Sequence, residues 1–156
     1  MQGIFAKMKS ALMNNCIFCR IIKGELPAVK VYEDDTCIAF FPLKVINPGH
    51  VLLVPKAHFD NYIDLPSDQA AHLAAISQVL GRRITDRIKP ARVGYAIVGF
   101  EVSHVHIHIV PMNKMYEITS SAYAAVQDGE IVWSENNLTA LTETERVDLA
   151  ALLGSE

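Results

Sequence analysis

His104-Val105-His106-Ile107-His108-Ile109-Val110 alternates imidazole with aliphatic side chains and then stays apolar up to Pro111. In a strand the side-chain period is two, so His104, His106 and His108 share one face while Val105, Ile107 and Ile109 share the other. Imidazoles on the first face start about 7 Å apart, two rises of roughly 3.3 Å. Three of the chain's six histidines fall within five residues. A merely polar outer face has no need of that concentration, because Thr, Lys or Glu would serve it equally well. The aliphatic face must be covered, and the neighbouring sequence offers the cover.

Ser67 precedes a helical pattern over residues 68–89, with Leu73, Ile76, Leu80, Ile84 and Ile88 recurring at steps of three and four and Pro90 ending it. Residues 93–98 read as a strand leading toward the histidines. Further upstream, residues 29–32 and 36–41 read as a hairpin with Asp34-Asp35 at its turn. Pro42 and Asn47-Pro48-Gly49 bracket an irregular segment that delivers His50 to a buried strand, Val51-Leu52-Leu53-Val54, stopped by Pro55. Residues 16–23 suit a helical turn closed by Gly24. Beyond Pro111 the signal weakens: residues 117–137 offer Trp133 to something apolar, and residues 142–153 suit a helix that buries Val147, Leu149 and Leu152. Short turns, one long helix and few parallel crossovers predict an α+β fold with an antiparallel sheet, the helix covering one sheet face.

At 156 residues and 51% hydrophobic, the chain has the size of one compact domain able to bury a core without disulfides. Fourteen basic against seventeen acidic residues give a formal charge of -3. That argues against nucleic acid as a partner, since broad phosphate binding needs a basic face, and any anionic ligand must be held locally. No apolar run approaches the roughly 20 residues of a bilayer span, so no membrane role is expected, and nothing resembles a secretory signal. Two of the three cysteines stand as Cys16-Ile17-Phe18-Cys19, a spacing read as metal binding or redox chemistry, and a cytoplasmic setting fits best. Cys37, inside an apolar run, reads as packing. Residues 1–13 form an N-terminal extension in which Lys7 and Lys9 stand among Ile4, Phe5, Met8, Leu12 and Met13. It suits a short amphipathic helix, a basic leader or a loosely docked terminus.

Near neutral pH an imidazole attacks through its neutral nitrogen, donates when protonated, or shuttles a proton, and phosphoryl chemistry uses all three. His106, in the middle, is the natural nucleophile, with His108 and His50 able to donate hydrogen bonds to phosphate oxygens. The competing use of the row is a metal site, to which the Cys pair would add two ligands. His72, alone within the long helix, reads as structural.

The histidine row is similar to the His-φ-His-φ-His-φ-φ signature of the histidine-triad (HIT) superfamily, φ being apolar. Asn15-Cys16-Ile17-Phe18-Cys19-Arg20-Ile21-Ile22, Val31-Tyr32-Glu33-Asp34, Asn47-Pro48-Gly49-His50 and Val54-Pro55-Lys56-Ala57-His58 resemble its zinc-containing branch, in the family's order, across residues 14–111. The resemblance implies a HIT-like antiparallel five-stranded sheet with one long helix and a short N-terminal helix. It further implies a HIT domain over 14–115, a C-terminal segment 116–156 packed on it, and a homodimer that binds a purine nucleotide or nucleotide conjugate. His106 matches the residue that becomes nucleotidylated, and His108 and His50 match positions that hold the phosphate. The implied activity is that of a nucleotide hydrolase or transferase acting on a phosphoramidate or related nucleotidyl ester. Cleavage of dinucleoside polyphosphates, or nucleotide binding with low turnover, are the alternatives. A structural zinc is implied on Cys16, Cys19, His58 and His104, a donor set chemically complete for a closed tetrahedral site. The chain departs from the family at Pro42, where many members place an acid on the ribose hydroxyls, and at Phe100, where the usual glutamine precedes the triad.

Overall fold

The computed structural model describes residues 16–99, 101–115, 117–118, 124–133 and 138–154. The extension at 1–13 and Phe100 lie outside the described residues. Helix α1 spans Ile17–Ile22; strands β1 (Lys30–Glu33), β2 (Cys37–Phe40), β3 (Lys44–Val45) and β4 (Val51–Pro55) follow, and then the long helix α2 (Ser67–Ile88). After it come β5 (Arg92–Ala96), β6 (Ile107–Met112), β7 (Ala124–Gln127), β8 (Glu130–Trp133), β9 (Thr139–Ala140) and helix α3 (Glu143–Gly154).

The main sheet has five strands in the order β1-β2-β4-β6-β5, every neighbouring pair antiparallel. The expected hairpin forms because Asp34 organises its turn: Oδ1 accepts the backbone N–H of both Thr36 and Cys37 at 2.7 Å. His72 on α2 reaches the same carboxylate, Nε2 to Oδ2 at 2.7 Å, and so fastens the helix to the hairpin. β2 and β4 are buried along their whole length, because both of their faces are covered. On one face, Ala39, Val51, Leu53, Ile107 and Ile109 pack with Leu73, Leu80 and Ile84 of α2. On the other, Ile38, Phe40, Leu52 and Val54 pack with Phe18 and Ile21 of α1. The long helix expected from the sequence accounts for the first face; α1 covers the second.

Two boundaries and one buried face differ from expectation. The histidine strand starts at Ile107, not His104, and continues through Pro111, whose missing N–H is accommodated opposite Val93. Pro66 rather than Ser67 takes the N-cap position of α2. On α3 Leu153 is buried and Leu149 and Ala150 are partly buried, packed toward β1 and α2, while Val147 and Leu152, expected to bury, are exposed. The segment after β6 carries a hairpin, β7–β8, and a short strand β9 that pairs with β3 through Lys44↔Ala140 and Val45↔Thr139. Trp133 ends β8, with its side chain outside those described.

Candidate active site and metal centre

The Asn47-Pro48-Gly49 turn fixes His50. Its backbone N–H donates to the Asn47 carbonyl at 3.0 Å, and Asn47 Nδ2 donates to the Pro111 carbonyl at 2.9 Å, tying the turn to β6. Gly49 has φ +92°, a backbone conformation that L side chains rarely adopt, so the turn demands glycine; a Cβ there would also push aside the end of the Ile88 side chain. His50 therefore enters β4 buried, two residues before Leu52, which lies opposite His108 on β6.

Hydrogen bonding fixes the protons of this pair. The Ile46 N–H donates to His50 Nδ1 at 3.3 Å, so that nitrogen carries a lone pair and the ring proton sits on Nε2. Nε2–H then donates to His108 Nδ1 at 3.0 Å, leaving the His108 proton on its own Nε2. Burial, then the neighbouring His108 and His106, push the His50 imidazole down to about 3; burial, then His106, push His108 down to about 4. Both rings are neutral at pH 7, as a chain of one donor and one acceptor per ring requires.

His106 is oriented differently. Its Nδ1 lies 2.7 Å from the His104 carbonyl oxygen, which only accepts, so Nδ1–H donates and the lone pair is on Nε2. The His108 ring stands 4.9 Å away and the Phe18 ring meets His106 edge-on at 5.2 Å. The expected imidazole on either side of His106 is thus found on one side only, because His104 pairs its ring with His58 at 4.7 Å. His106 and His108 line a cleft of about 570 Å³ with Ile46, Val98 and Glu101. Phe18 also lines a second groove, of about 810 Å³, whose walls are Ile21, Phe40, Pro42 and Leu52 and whose charged members are Glu143 and Arg146 of α3. The sequence reading missed Glu101, Glu143 and Arg146. No local pattern marks them, since they are ordinary surface residues until the fold brings them in.

The four residues expected to hold a metal come together from α1, the loop after β4 and the bend before β6, with their ligand atoms all within 4.8 Å of one another. Cys16 Sγ and His104 Nδ1 are 3.4 Å apart, Cys19 Sγ and His104 Nδ1 3.5 Å, Cys19 Sγ and His58 Nδ1 3.2 Å, and the two Nδ1 atoms 3.2 Å. Zinc bonds of about 2.3 Å to sulfur and 2.0–2.1 Å to nitrogen place sulfur and nitrogen about 3.5 Å apart in a tetrahedron, and two nitrogens about 3.3 Å. Both imidazoles donate through Nε2, His104 to the Pro55 carbonyl at 2.9 Å and His58 to Asp60 Oδ1 at 3.0 Å. Each Nδ1 therefore turns a lone pair toward the sulfurs, and two lone pairs 3.2 Å apart repel unless a cation lies between them. The cluster is compatible with a structural zinc ion, which would supply a closed four-ligand clamp rather than a site for water. A second group, Asp34, Cys37 and His72, is already satisfied as a hydrogen-bonded set around the hairpin turn.

Comparison with known proteins agrees with this geometry. The chain is 38% identical over 100 residues to an uncharacterised HIT-like protein of Methanocaldococcus jannaschii, covering 62% of this chain and 78% of that one. It is 33% identical over 110 residues to an Arabidopsis thaliana protein named as an adenylylsulfatase, covering 67% of this chain and 56% of the relative. A zinc-bound histidine triad family protein from Mycobacterium smegmatis shares the fold at a TM-score of 0.66 and 24% identity, over 90% of this chain and 91% of that one. The HIT domain pattern matches residues 23–115, more than half the chain, and that span takes in β1 to β6 with His50, His106 and His108. The chain belongs to the HIT domain family.

Proposed function

We propose that this protein is a nucleotide hydrolase or nucleotidyltransferase in which His106 attacks the α-phosphate of a nucleotide phosphoramidate or related nucleotidyl ester. The observation that carries the reading is the 2.7 Å bond from His106 Nδ1–H to the His104 carbonyl, which commits the proton of the neutral ring to Nδ1 and leaves Nε2 as the attacking atom of a residue that lines an open cleft. Attack forms an Nε2–P bond as the P–N or P–O bond to the leaving group breaks, and the leaving group departs with a proton taken from solvent. The ring becomes cationic, and the same carbonyl stabilises it through the bond already in place. His108, its proton held on Nε2 by the His50 relay, donates to a phosphoryl oxygen as charge develops there. Water or another acceptor then cleaves the Nε2–P bond and restores the neutral ring.

The Arabidopsis relative, named as an adenylylsulfatase, supports an adenylyl substrate with a leaving group on the α-phosphate. Cys16, Cys19, His58 and His104 hold zinc in this reading, and His104 thereby fixes the carbonyl that orients the nucleophile. Residues 14–115 form the working unit, and a homodimer is favoured by β5, an edge strand of the main sheet with Tyr95 47% exposed and Ile97 and Val98 exposed just beyond it. Buried free thiols suit a reducing, cytoplasmic setting. Among the described residues no helix is long and apolar enough to cross a membrane.

Intact-mass spectrometry during turnover of adenosine 5′-phosphoramidate should trap an adenylyl adduct that maps to His106. His106→Ala should abolish both adduct and turnover, a loss on the order of 10³-fold or more, with thermal stability unchanged. Faster cleavage of a diadenosine polyphosphate would move the substrate to the dinucleotide class, and an active alanine variant would overturn the mechanism.

A further inference from the structure

Among the described residues lining the groove beside Phe18, only Glu143 and Arg146 are charged, and both come from α3, outside the 23–115 span that matches the family. The remaining walls are apolar: Phe18 and Ile21 of α1, Phe40 and Leu52 of the sheet, and Pro42, which offers no side-chain donor or acceptor. Phe18 joins this groove to the site, since its ring packs edge-on against His106 with the ring centroids 5.2 Å apart. A nucleotide whose α-phosphate lies at His106 must send its nucleoside somewhere within a few ångströms. It has two chemical needs there: an apolar slot for a planar base, and an acceptor for the vicinal hydroxyls of the ribose. The groove supplies the first through its walls. Among the described residues its one carboxylate is Glu143.

We infer, resting on the function proposed above, that Glu143 is a specificity-determining residue: its carboxylate accepts the 2′- and 3′-hydroxyls of the substrate's ribose, making the site selective for ribonucleotides. The C-terminal segment is built to hold Glu143 at the groove. β9 pairs with β3, Leu141 is buried beside that junction, and Arg146 Nη1 donates to the Leu141 carbonyl at 2.8 Å, pinning the start of α3. Thr142 and Glu145 close the helix end reciprocally: Thr142 N–H donates to Glu145 Oε2 at 2.8 Å and Glu145 N–H to Thr142 Oγ1 at 3.2 Å. Glu143 takes no part in that cap, so its carboxylate is available to a ligand. Arg146 is then a positioning residue that keeps Glu143 in place.

The test compares the full-length chain with Glu143→Gln in two measurements: equilibrium binding of AMP against 2′-deoxy-AMP, and steady-state turnover of adenosine 5′-phosphoramidate against its 2′-deoxy form. A hydrogen bond to a charged acceptor corresponds to about tenfold or more in affinity. The wild type is expected to favour the ribo ligand by about that factor. Glu143→Gln should raise KM for the ribo substrate by a similar factor, leave kcat and the deoxy substrate nearly unchanged, and bring the ribo/deoxy ratio close to one. Glu143→Asp should restore part of the preference. A wild type without ribo preference, or a Gln variant that keeps it, overturns the inference. Preferential AMP binding that depends on Glu143 without any turnover supports the inference while refuting the catalytic reading, and turnover with an unaltered ratio in the variant does the reverse. A wild type that binds neither nucleotide overturns both.

Discussion

Stripping the metal from the Cys16–Cys19–His58–His104 cluster should cost the fold a third or more of an ordinary domain's stability. The clamp joins α1 to the bend before β6 across 85 and 88 residues, and to His58 across 39. Cross-linking a loop of that longest span removes roughly 4–5 kcal/mol of chain entropy from the unfolded ensemble at 25 °C, on the relation used for covalent links. A metal clip closes the loop in the same sense. In a domain of this size each kcal/mol moves Tm by roughly 2–4 °C, so the expected fall is on the order of 10–20 °C. The assay is thermal unfolding of protein with its zinc content measured per chain, with and without chelator, followed by zinc add-back. Cys19→Ser should reproduce the chelated Tm and respond no further to chelator. Turnover should fall in step, because the backbone of His104 orients His106. Protein that holds no zinc, or that surrenders a full equivalent and keeps its Tm within about 3 °C, refutes the reasoning.

Two further outcomes follow from the electrostatics. His50 and His108, held at about 3 and about 4 in the fold, stay neutral while the unfolded chain's imidazoles protonate near 6.5. Between those values the unfolded state binds more protons, so stability should be full above about pH 6.5 and fall as pH drops toward 4. Unfolding followed over that range measures it, and imidazole NMR signals of His50 or His108 titrating near 6.5 would contradict it. Burial alone would raise the Asp34 carboxyl, but the Cys37 N–H, His72, the Thr36 N–H and Tyr32 outweigh it and hold the group well below the usual carboxylate range. Asp34→Ala should therefore destabilise the protein by about 2–4 kcal/mol at pH 7, as bonds to a charged acceptor are lost. The gap to wild type should narrow only below the unfolded carboxylate value of about 3.9, as the depressed native group takes up its proton. An unchanged denaturant midpoint in Asp34→Ala would show that the hairpin turn does not depend on it.

What was legible in the sequence was whatever repeats within a few residues. The heptad-like spacing of Leu73, Leu80 and Ile84, the Asp34 turn and the apolar Val51–Pro55 strand each state their structure locally, and the sheet follows from them. β7, β8 and β9 did not announce themselves, because their pairing depends on partners, not on an alternating apolar face: Val126 and Ile131 are exposed, and β9 is two residues long. The helical spacing on α3 predicts burial of Val147, Leu149 and Leu152; Leu149 does pack on the core, but contact with β1 and α2 turns the helix so that Leu153 is buried and Val147 and Leu152 face out.

The histidine row shows best where periodicity stops being informative. Alternation correctly sends Val105, Ile107 and Ile109 into the core under α2. It also predicts three equivalent imidazoles, and they are not equivalent, because the ladder begins only at Ile107. Freed from strand pairing, His104 turns its ring to Cys16 and Cys19 while its carbonyl accepts the His106 proton. A single residue thus belongs to the metal cluster through its side chain and to the candidate nucleophile through its backbone. Substituting His104 would disturb both at once. The separable perturbations are those on either side of it, the cysteines for the clamp and His106 for the chemistry.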